Sequence, residues 1–296
     1  MKEKRIKTMI NEQNLDRMIT YLFNEYENVS DLQRRSSRFQ GMRYAETNQF
    51  VLPEKPWTIR EKIHLWRGLV NRREPHPIDP KYITWEDAFL TEYFSMQSIV
   101  RLEQLQKKNA PMYVWQGDIT RLNVDVIVNA ANNDMLGCFI PNHQCVDNQI
   151  HTFAGVRLRL DLNDQMQQQG HKEPVGRARL TPGYQLPTSY IIHTVGPMIT
   201  GDVNPIKKQQ LKKSYQSCLQ LATEVGLSTI AFSGISTGQF GYPKKAAAQV
   251  AYQTVQDFLQ THQSTLQVVF CTHTPEDEAI YHRLLEEGRD DKVATH

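Results

Sequence analysis

Val124-Asp125-Val126-Ile127-Val128-Asn129-Ala130-Ala131-Asn132 is a short apolar, β-rich run that ends in a polar loop. It reads as a buried strand over Val124 to Val128, followed at once by two asparagines. The same texture recurs in the chain after Pro111. Strands are expected at Met112 to Trp115, Ala178 to Thr181, Tyr190 to Val195, Thr229 to Phe232 and Leu266 to Phe270. Helical stretches intervene at Asp147 to Arg159, Lys207 to Glu224, Lys244 to Gln260 and Glu276 to Glu287, each long enough to cross a sheet face. This alternation predicts an α/β domain over residues 111–290, built as a three-layer α/β/α sandwich.

Residues 1–110 read differently. Ile59, Ile63, Trp66 and Val70 follow helical spacing, and a second stripe runs through Phe89, Tyr93, Met96 and Val100. Prolines 53, 56, 75, 77 and 80 interrupt them, so a small helical N-terminal extension is expected, with no long uninterrupted helix and no internal repeat.

With 296 residues and 40% hydrophobic content, the chain can bury a sizeable core. Its 34 Lys and Arg nearly balance 32 Asp and Glu, so no charge excess asks for nucleic acid or an acidic membrane. No apolar run approaches the roughly 20 residues of a membrane span. The N-terminus (Lys2, Lys4, Arg5, Lys7) lacks a signal-peptide apolar core, so a cytoplasmic protein is expected. Four cysteines, two of them close to one histidine, suit metal ligation in a reducing compartment better than a disulfide framework.

Five features could carry chemistry. Gly117 and Asp118 follow the first strand, placing a carboxylate at a strand end, although Gly-Asp is also a common turn. The amides of Asn129 and Asn132 could read sugar hydroxyls or simply satisfy a tight loop. Ser233 to Gly241, which contains Ser236, Thr237, Gly238, Gln239 and Phe240, lies between a strand and the helix that Pro243 would open. Its glycines let backbone N–H groups approach an anion at a helix N-terminus, yet it matches neither the Walker nor the dinucleotide-fold spacing. Cys138, His143 and Cys145 offer two thiolates and an imidazole in one loop, a mixture zinc accepts. Two unligated thiols beside a surface histidine is the alternative. Asp147 and His151 stand four apart on one helix face, where the carboxylate could serve a water or merely favour the helix start. His151 is expected to hold the helix against the sheet, and His193 carries no assigned role. Cys218 sits on an apolar stripe and Cys271 ends a β-run, so both are expected in the core.

Taken in order, Gly117-Asp118-Ile119-Thr120, Val124 to Asn132, Val146-Asp147-Asn148-Gln149-Ile150-His151 and Ser236 to Gly241 resemble the motifs of the macrodomain family. His193-Thr194-Val195-Gly196-Pro197 adds to the likeness, which spans about residues 112 to 285. Where most members carry a run of glycines, Cys138 to Cys145 stands, as in the zinc-dependent microbial branch, whose helical extension the N-terminal half also resembles.

The resemblance implies a mixed sheet between helical layers and binding of ADP-ribose. Asp118 then accepts from the adenine amino group with the Ile119 backbone N–H nearby, and Asn129 and Asn132 line the distal ribose. Ser236, Thr237, Gly238 and Gln239 wrap the diphosphate, and the Phe240 ring lies against the distal ribose. Cys138, His143 and Cys145 hold Zn2+, and Asp147, with Asn132 beside it, carries catalysis. The implied reaction is zinc-dependent removal of ADP-ribose from Asp or Glu esters of a modified protein. A lipoyl-carrier protein modified by a sirtuin-type transferase is the implied partner. A non-catalytic ADP-ribose reader with structural zinc and an O-acetyl-ADP-ribose deacetylase are the rival readings.

Overall fold

Thr58 and Asp79 start the two helices that the N-terminal apolar stripes predict. Thr58 Oγ1 accepts from the Glu61 N–H while the Glu61 carboxylate accepts from the Thr58 N–H, a reciprocal cap. Asp79 accepts from the Lys81 N–H just ahead of Pro80, whose fixed φ suits a first helical turn. The computed structural model describes residues 11–28, 57–105 and 111–293. The basic N-terminal residues Lys2 to Lys7 and the prolines at 53 and 56 lie outside the described residues.

Two compact units divide the chain, one of residues 1–96 with 139–142, the other of residues 97–138 with 143–296. In the first, α1 (Glu12–Asn28) packs on α2 (Ile59–Arg72) and α3 (Pro80–Ser95). Trp66 is wholly buried edge-on to Phe89 (5.1 Å) and donates its Nε1–H to the Tyr82 hydroxyl (3.1 Å). The second predicted stripe ends early, because α3 stops at Ser95 and Val100 enters a strand. Buried Arg73 donates to both carboxylate oxygens of Glu25 and to the carbonyls of His76 and Pro77. Asn142 belongs to this unit and donates its N–H to the buried Asn71 Oδ1 (3.0 Å).

In the second unit, β2 (Met112–Gln116), β4 (Val126–Ala130), β5 (Ala178–Pro182), β6 (Tyr190–Thr194), β7 (Thr229–Phe232) and β8 (Gln267–Thr272) form one six-stranded sheet. Its order is β2-β8-β7-β4-β6-β5, parallel except for the antiparallel β5–β6 edge. The expected mixed sheet is thus present. All six predicted strands form. The one over Val124 to Val128 starts two residues late, because the Asp125 carboxylate accepts from the Ser228 and Thr229 N–H groups (2.8 and 2.9 Å) in place of the ladder. A two-residue parallel pairing of β1 (Val100–Arg101) with β3 (Leu122–Asn123) is too short for alternation to predict.

Helices α4 (Val146–Ala154) and α5 (Val156–Gln169) contact β4 and β5, while α6 (Pro205–Glu224), α7 (Lys244–Thr261) and α8 (Pro275–Val293) pack as a second set. The single helix expected over Asp147 to Arg159 is two, broken at Gly155, whose φ of 92° only glycine takes readily. Val126, Val128, Ile192 and Phe232 face Leu211, Tyr215 and Val250 of α6 and α7, with Cys218 in the same core as its stripe predicted. Strand alternation therefore turns Ile127 and Asn129 of β4, and Ile191 and His193 of β6, toward α4. All four are fully buried. Among the described residues no helix is long and apolar enough to cross a membrane.

Burial alone would raise the Glu25 pKa, but hydrogen bonds from His76 and Arg73 outweigh it and hold the carboxyl below its ordinary value. A folded-state pKa depressed in this way stabilises the protein above the unfolded value and loses that contribution as pH falls through the folded one. Glu25→Gln is expected to lower the Tm at pH 7, with the gap from wild type closing below about pH 4 in thermal unfolding. An equal gap at both pH values contradicts the ion-pair assignment.

Candidate functional site

In this strand order the chain leaving β4 re-enters the sheet on one side and the chain leaving β7 on the other. The crevice between their C-terminal ends is a topological switch point, the place where open α/β sheets receive ligands. Two loops rise there, and both are tied to the sheet. The Ala131 N–H donates to the Thr194 carbonyl (3.0 Å), and Ser233 Oγ donates to the Val128 carbonyl (2.9 Å).

The first loop closes on itself. Asn132 Nδ2 donates to the Gly137 carbonyl (3.0 Å), and its Oδ1 accepts from the Asp134 N–H (3.0 Å). Arg159 of α5 donates Nε–H to the Leu136 carbonyl (2.8 Å). Gly137 then passes directly over the His151 ring with φ 81°, where a Cβ would lie 2.6 Å from Cγ. Only glycine fits that crossing.

Beyond it, Cys138 Sγ stands 3.5 Å from His143 Nδ1, and the ligand atoms of Cys138, His143 and Cys145 all lie within 4.8 Å of one another. His143 Nε2 is 3.4 Å from the Gln239 amide nitrogen, so the Nδ1–H tautomer satisfies both contacts. Asn148 frames the cluster, donating Nδ2–H to the Cys138 carbonyl (3.2 Å) and its N–H to Cys145 Sγ (3.4 Å), which caps α4. The Cys145 thiol is pushed above its ordinary pKa, first by its hydrogen bond with Cys138 and then by burial. Two soft sulfurs and an imidazole converging this closely fit a zinc ion by donor chemistry.

In the first turn of α4, Asp147 is only 6% exposed. Its Oδ1 accepts from Asn129 Nδ2 (2.8 Å) and lies 3.6 Å from His151 Nε2. Burial raises its pKa to about 7, against the lowering effect of the Asn129 hydrogen bond. Asn129 itself is wholly buried, with Nδ2 also 3.2 Å from His193 Nδ1 and with Oδ1 lacking a partner among the described residues. His151 is buried, and burial keeps its ring neutral as it packs 6.2 Å from that of His193 between α4 and the sheet.

The second loop has the strain expected of a ligand clamp. Ser236 adopts φ 65°, is buried, and its hydroxyl has no partner among the described residues. The Tyr242 N–H donates to the Ser236 carbonyl (2.9 Å) and the Gly241 N–H to that of Gly238 (3.0 Å), folding the loop back before α7. Thr237 Oγ1 donates to the Gly234 carbonyl (3.0 Å), while Gly238 has open space around it. Gln239 is exposed, Phe240 is half-buried and its carbonyl accepts from the Ile199 N–H (2.8 Å).

Asp118 stands at the same C-terminal edge, after β2, with β8 between it and β7. It is exposed, and its Oδ1 accepts from the N–H (3.0 Å) and hydroxyl (2.7 Å) of Thr120, while the neighbouring Ile119 side chain is buried.

A model of the macro domain family matches residues 128–251, the span that holds both loops, α4 and His193. The chain is 44% identical, over 75% of its length and 86% of the relative's, to the Protein-ADP-ribose hydrolase of Treponema medium. It is 45% identical to the protein of that name from Staphylococcus aureus strain MRSA252, over 76% of this chain and 85% of that one. The chain belongs to the macro domain family. A solved Oceanobacillus iheyensis macrodomain with ADP superimposes with a TM-score of 0.55 at 35% identity, covering 61% of this chain and 92% of that one.

Within this macro domain, the structure brings Cys138, His143, Cys145 and Gln239 together, with Asn132 bound to Gly137 just ahead of Cys138 and Asp147 bound to Asn129 two residues after Cys145. Sequence reasoning gave no role to His193, Thr181, Asn148 or Arg159. His193 faces Asn129 through the β4–β6 register, and Arg159 reaches back from a separate helix. Neither relation leaves a pattern in the linear sequence.

The crossing at Gly137 yields a direct test. Gly137→Ala is expected to cost about 1–3 kcal/mol in denaturant unfolding, because the loop must shift off the His151 ring. Wild-type stability in that variant contradicts the close approach.

Proposed function

We propose that this chain removes ADP-ribose from modified proteins by hydrolysing the ester that joins the distal ribose to an Asp or Glu side chain. The observation that carries the reading is the Asp147 carboxylate, buried at the start of α4 and held by Asn129, on the same helix that Cys145 of the three-ligand cluster caps. The name borne by the relatives, Protein-ADP-ribose hydrolase, supports it.

In this reading the exposed Asp118 accepts from the adenine amino group through the oxygen that Thr120 leaves open, with the Ile119 N–H alongside. Backbone N–H groups of Ser236, Thr237, Gly238 and Gln239 cradle the diphosphate, where loop amides and the α7 N-terminus favour an anion. Phe240 lies against the distal ribose, and Asn129 and Asn132 shape its pocket. Holding both phosphates fixes the reacting carbon relative to Asp147, which orients the attacking water and accepts its proton. Cys138, His143 and Cys145 are the residues to hold zinc. A zinc ion bound there supplies Lewis-acid chemistry, acidifying a water or polarising a ribose oxygen.

The cysteine loop and the helical N-terminal unit resemble the zinc branch of the family. That likeness suggests a lipoyl-carrier protein, modified by a sirtuin-type transferase in the cytoplasm, as the substrate.

The test follows ADP-ribose release from a protein modified on glutamate. Asp147→Ala is expected to lower kcat at least about a hundredfold, with the Kd for ADP-ribose changed less than about threefold. Unchanged release removes Asp147 from the mechanism. Cys138→Ala should lose bound zinc, by metal analysis, together with turnover, while remaining folded. A wild-type protein that binds zinc and ADP-ribose but releases nothing establishes a reader in place of a hydrolase.

A further inference from the structure

Below the crevice, four buried side chains form a chain of hydrogen bonds that runs from the sheet edge to α4. Thr181 of β5 meets His193 Nε2 (3.0 Å), His193 Nδ1 meets Asn129 Nδ2 (3.2 Å), and Asn129 Nδ2 donates to Asp147 Oδ1 (2.8 Å). The register places Asn129 directly opposite His193, on the sheet face turned toward α4.

The donor inventory sets every direction in this chain. An amide NH2 only donates, so its two hydrogens go to Asp147 and to His193 Nδ1. His193 Nδ1 therefore carries no proton, and the proton sits on Nε2, donating to Thr181 Oγ1. Burial keeps the ring neutral, its pKa lowered to about 3. The arrangement leaves Asn129 Oδ1 buried without a partner among the described residues. A buried unpaired acceptor is costly, and an amide left to itself would turn to relieve it. The second acceptor, supplied by His193, opposes that turn.

We propose that His193 is a positioning residue, which acts through Asn129 to aim the Asp147 carboxylate. The inference rests on the hydrolase reading above, in which Asp147 serves the attacking water. Histidine is suited to this place because it presents an acceptor to Asn129 and a donor to Thr181 while staying uncharged among buried groups. His193 stiffens Asp147 through Asn129, so it acts on the rate without itself touching ADP-ribose.

The experiment compares His193→Leu, which removes the acceptor, with His193→Asn, whose amide oxygen takes the position of Nδ1. Thr181→Val keeps the packing and removes only the Nε2 partner, so the relay stays testable if the leucine variant does not fold. Three quantities are read on the full chain: kcat on glutamate-modified protein, the Kd for ADP-ribose by calorimetry, and proton exchange of the Asn129 side-chain amide by NMR. His193→Leu is expected to lower kcat about tenfold or more with the Kd within about threefold of wild type, and His193→Asn to recover most of that loss. Thr181→Val should fall between them. Asn129 amide exchange should quicken in His193→Leu and return toward wild type in His193→Asn. Wild-type kcat in His193→Leu, or equal loss of kcat and binding without rescue by asparagine, overturns the positioning role. Unchanged Asn129 exchange in His193→Leu overturns the relay itself. That readout needs no turnover, so it is separate from the Asp147→Ala arm, where unchanged kcat overturns the hydrolase reading on which the proposal stands.

Discussion

A polar amide sealed at the end of a fully buried strand has to find its partners inside the protein, and that constraint organises this molecule. Asn129 ends an apolar run whose neighbours on both faces are covered. Its two donors reach Asp147 on α4 and His193 on β6, so one side chain joins the central strand to the helix above and the strand beside it. Helix α4 is thereby fixed with its N-terminus at the switch point. Cys145, which caps that helix, and the loop that leads to it are placed by the same contact. The cost is Asn129 Oδ1, which has no partner among the described residues. Unsatisfied polar atoms of this kind are rare in native interiors and tend to mark functional places.

Two loops of opposite character meet over this amide. The one after β4 brings together soft ligands, and the one after β7 offers backbone N–H groups and a strained Ser236. They touch through His143 and Gln239, whose contact leaves the imidazole its other nitrogen for Cys138. A metal held at the cysteines and a diphosphate held at the second loop would thus share a histidine orientation. This explains physically why a donor set and an anion cradle should occupy one crevice.

Much of this was legible in the linear sequence, because strand and helix periodicities report burial directly. The six strands of the main sheet, the first N-terminal stripe and the core position of Cys218 followed from spacing, while the second stripe was legible only as far as Phe89 and Tyr93, because its helix stops at Ser95. The break at Gly155 was not seen, since a lone glycine within a helical pattern is as often tolerated as it is a terminus. Start and end points of strands depended on side chains such as Asp125, which replaces ladder bonds with its own carboxylate. Among site residues, chemistry-bearing types in short loops stood out, as with Cys138, His143 and Cys145. His193 and Thr181 did not, because their relation to Asn129 arises only when β4, β5 and β6 are laid side by side. Asn129 drew notice as a polar residue following an apolar run, but its place inside β4, its burial and its partners were not legible.

In the proposed reaction, a buried carboxylate and a zinc-binding cluster act together in hydrolysis of carboxylate-linked ADP-ribose. The most direct measurement strips the full-length protein of metal and titrates zinc back while following ADP-ribose release from a glutamate-modified protein. Turnover is predicted to be absent at the start, to rise in proportion to bound zinc and to level off at stoichiometric metal. Full turnover in the metal-free protein, unchanged as zinc binds, would contradict it.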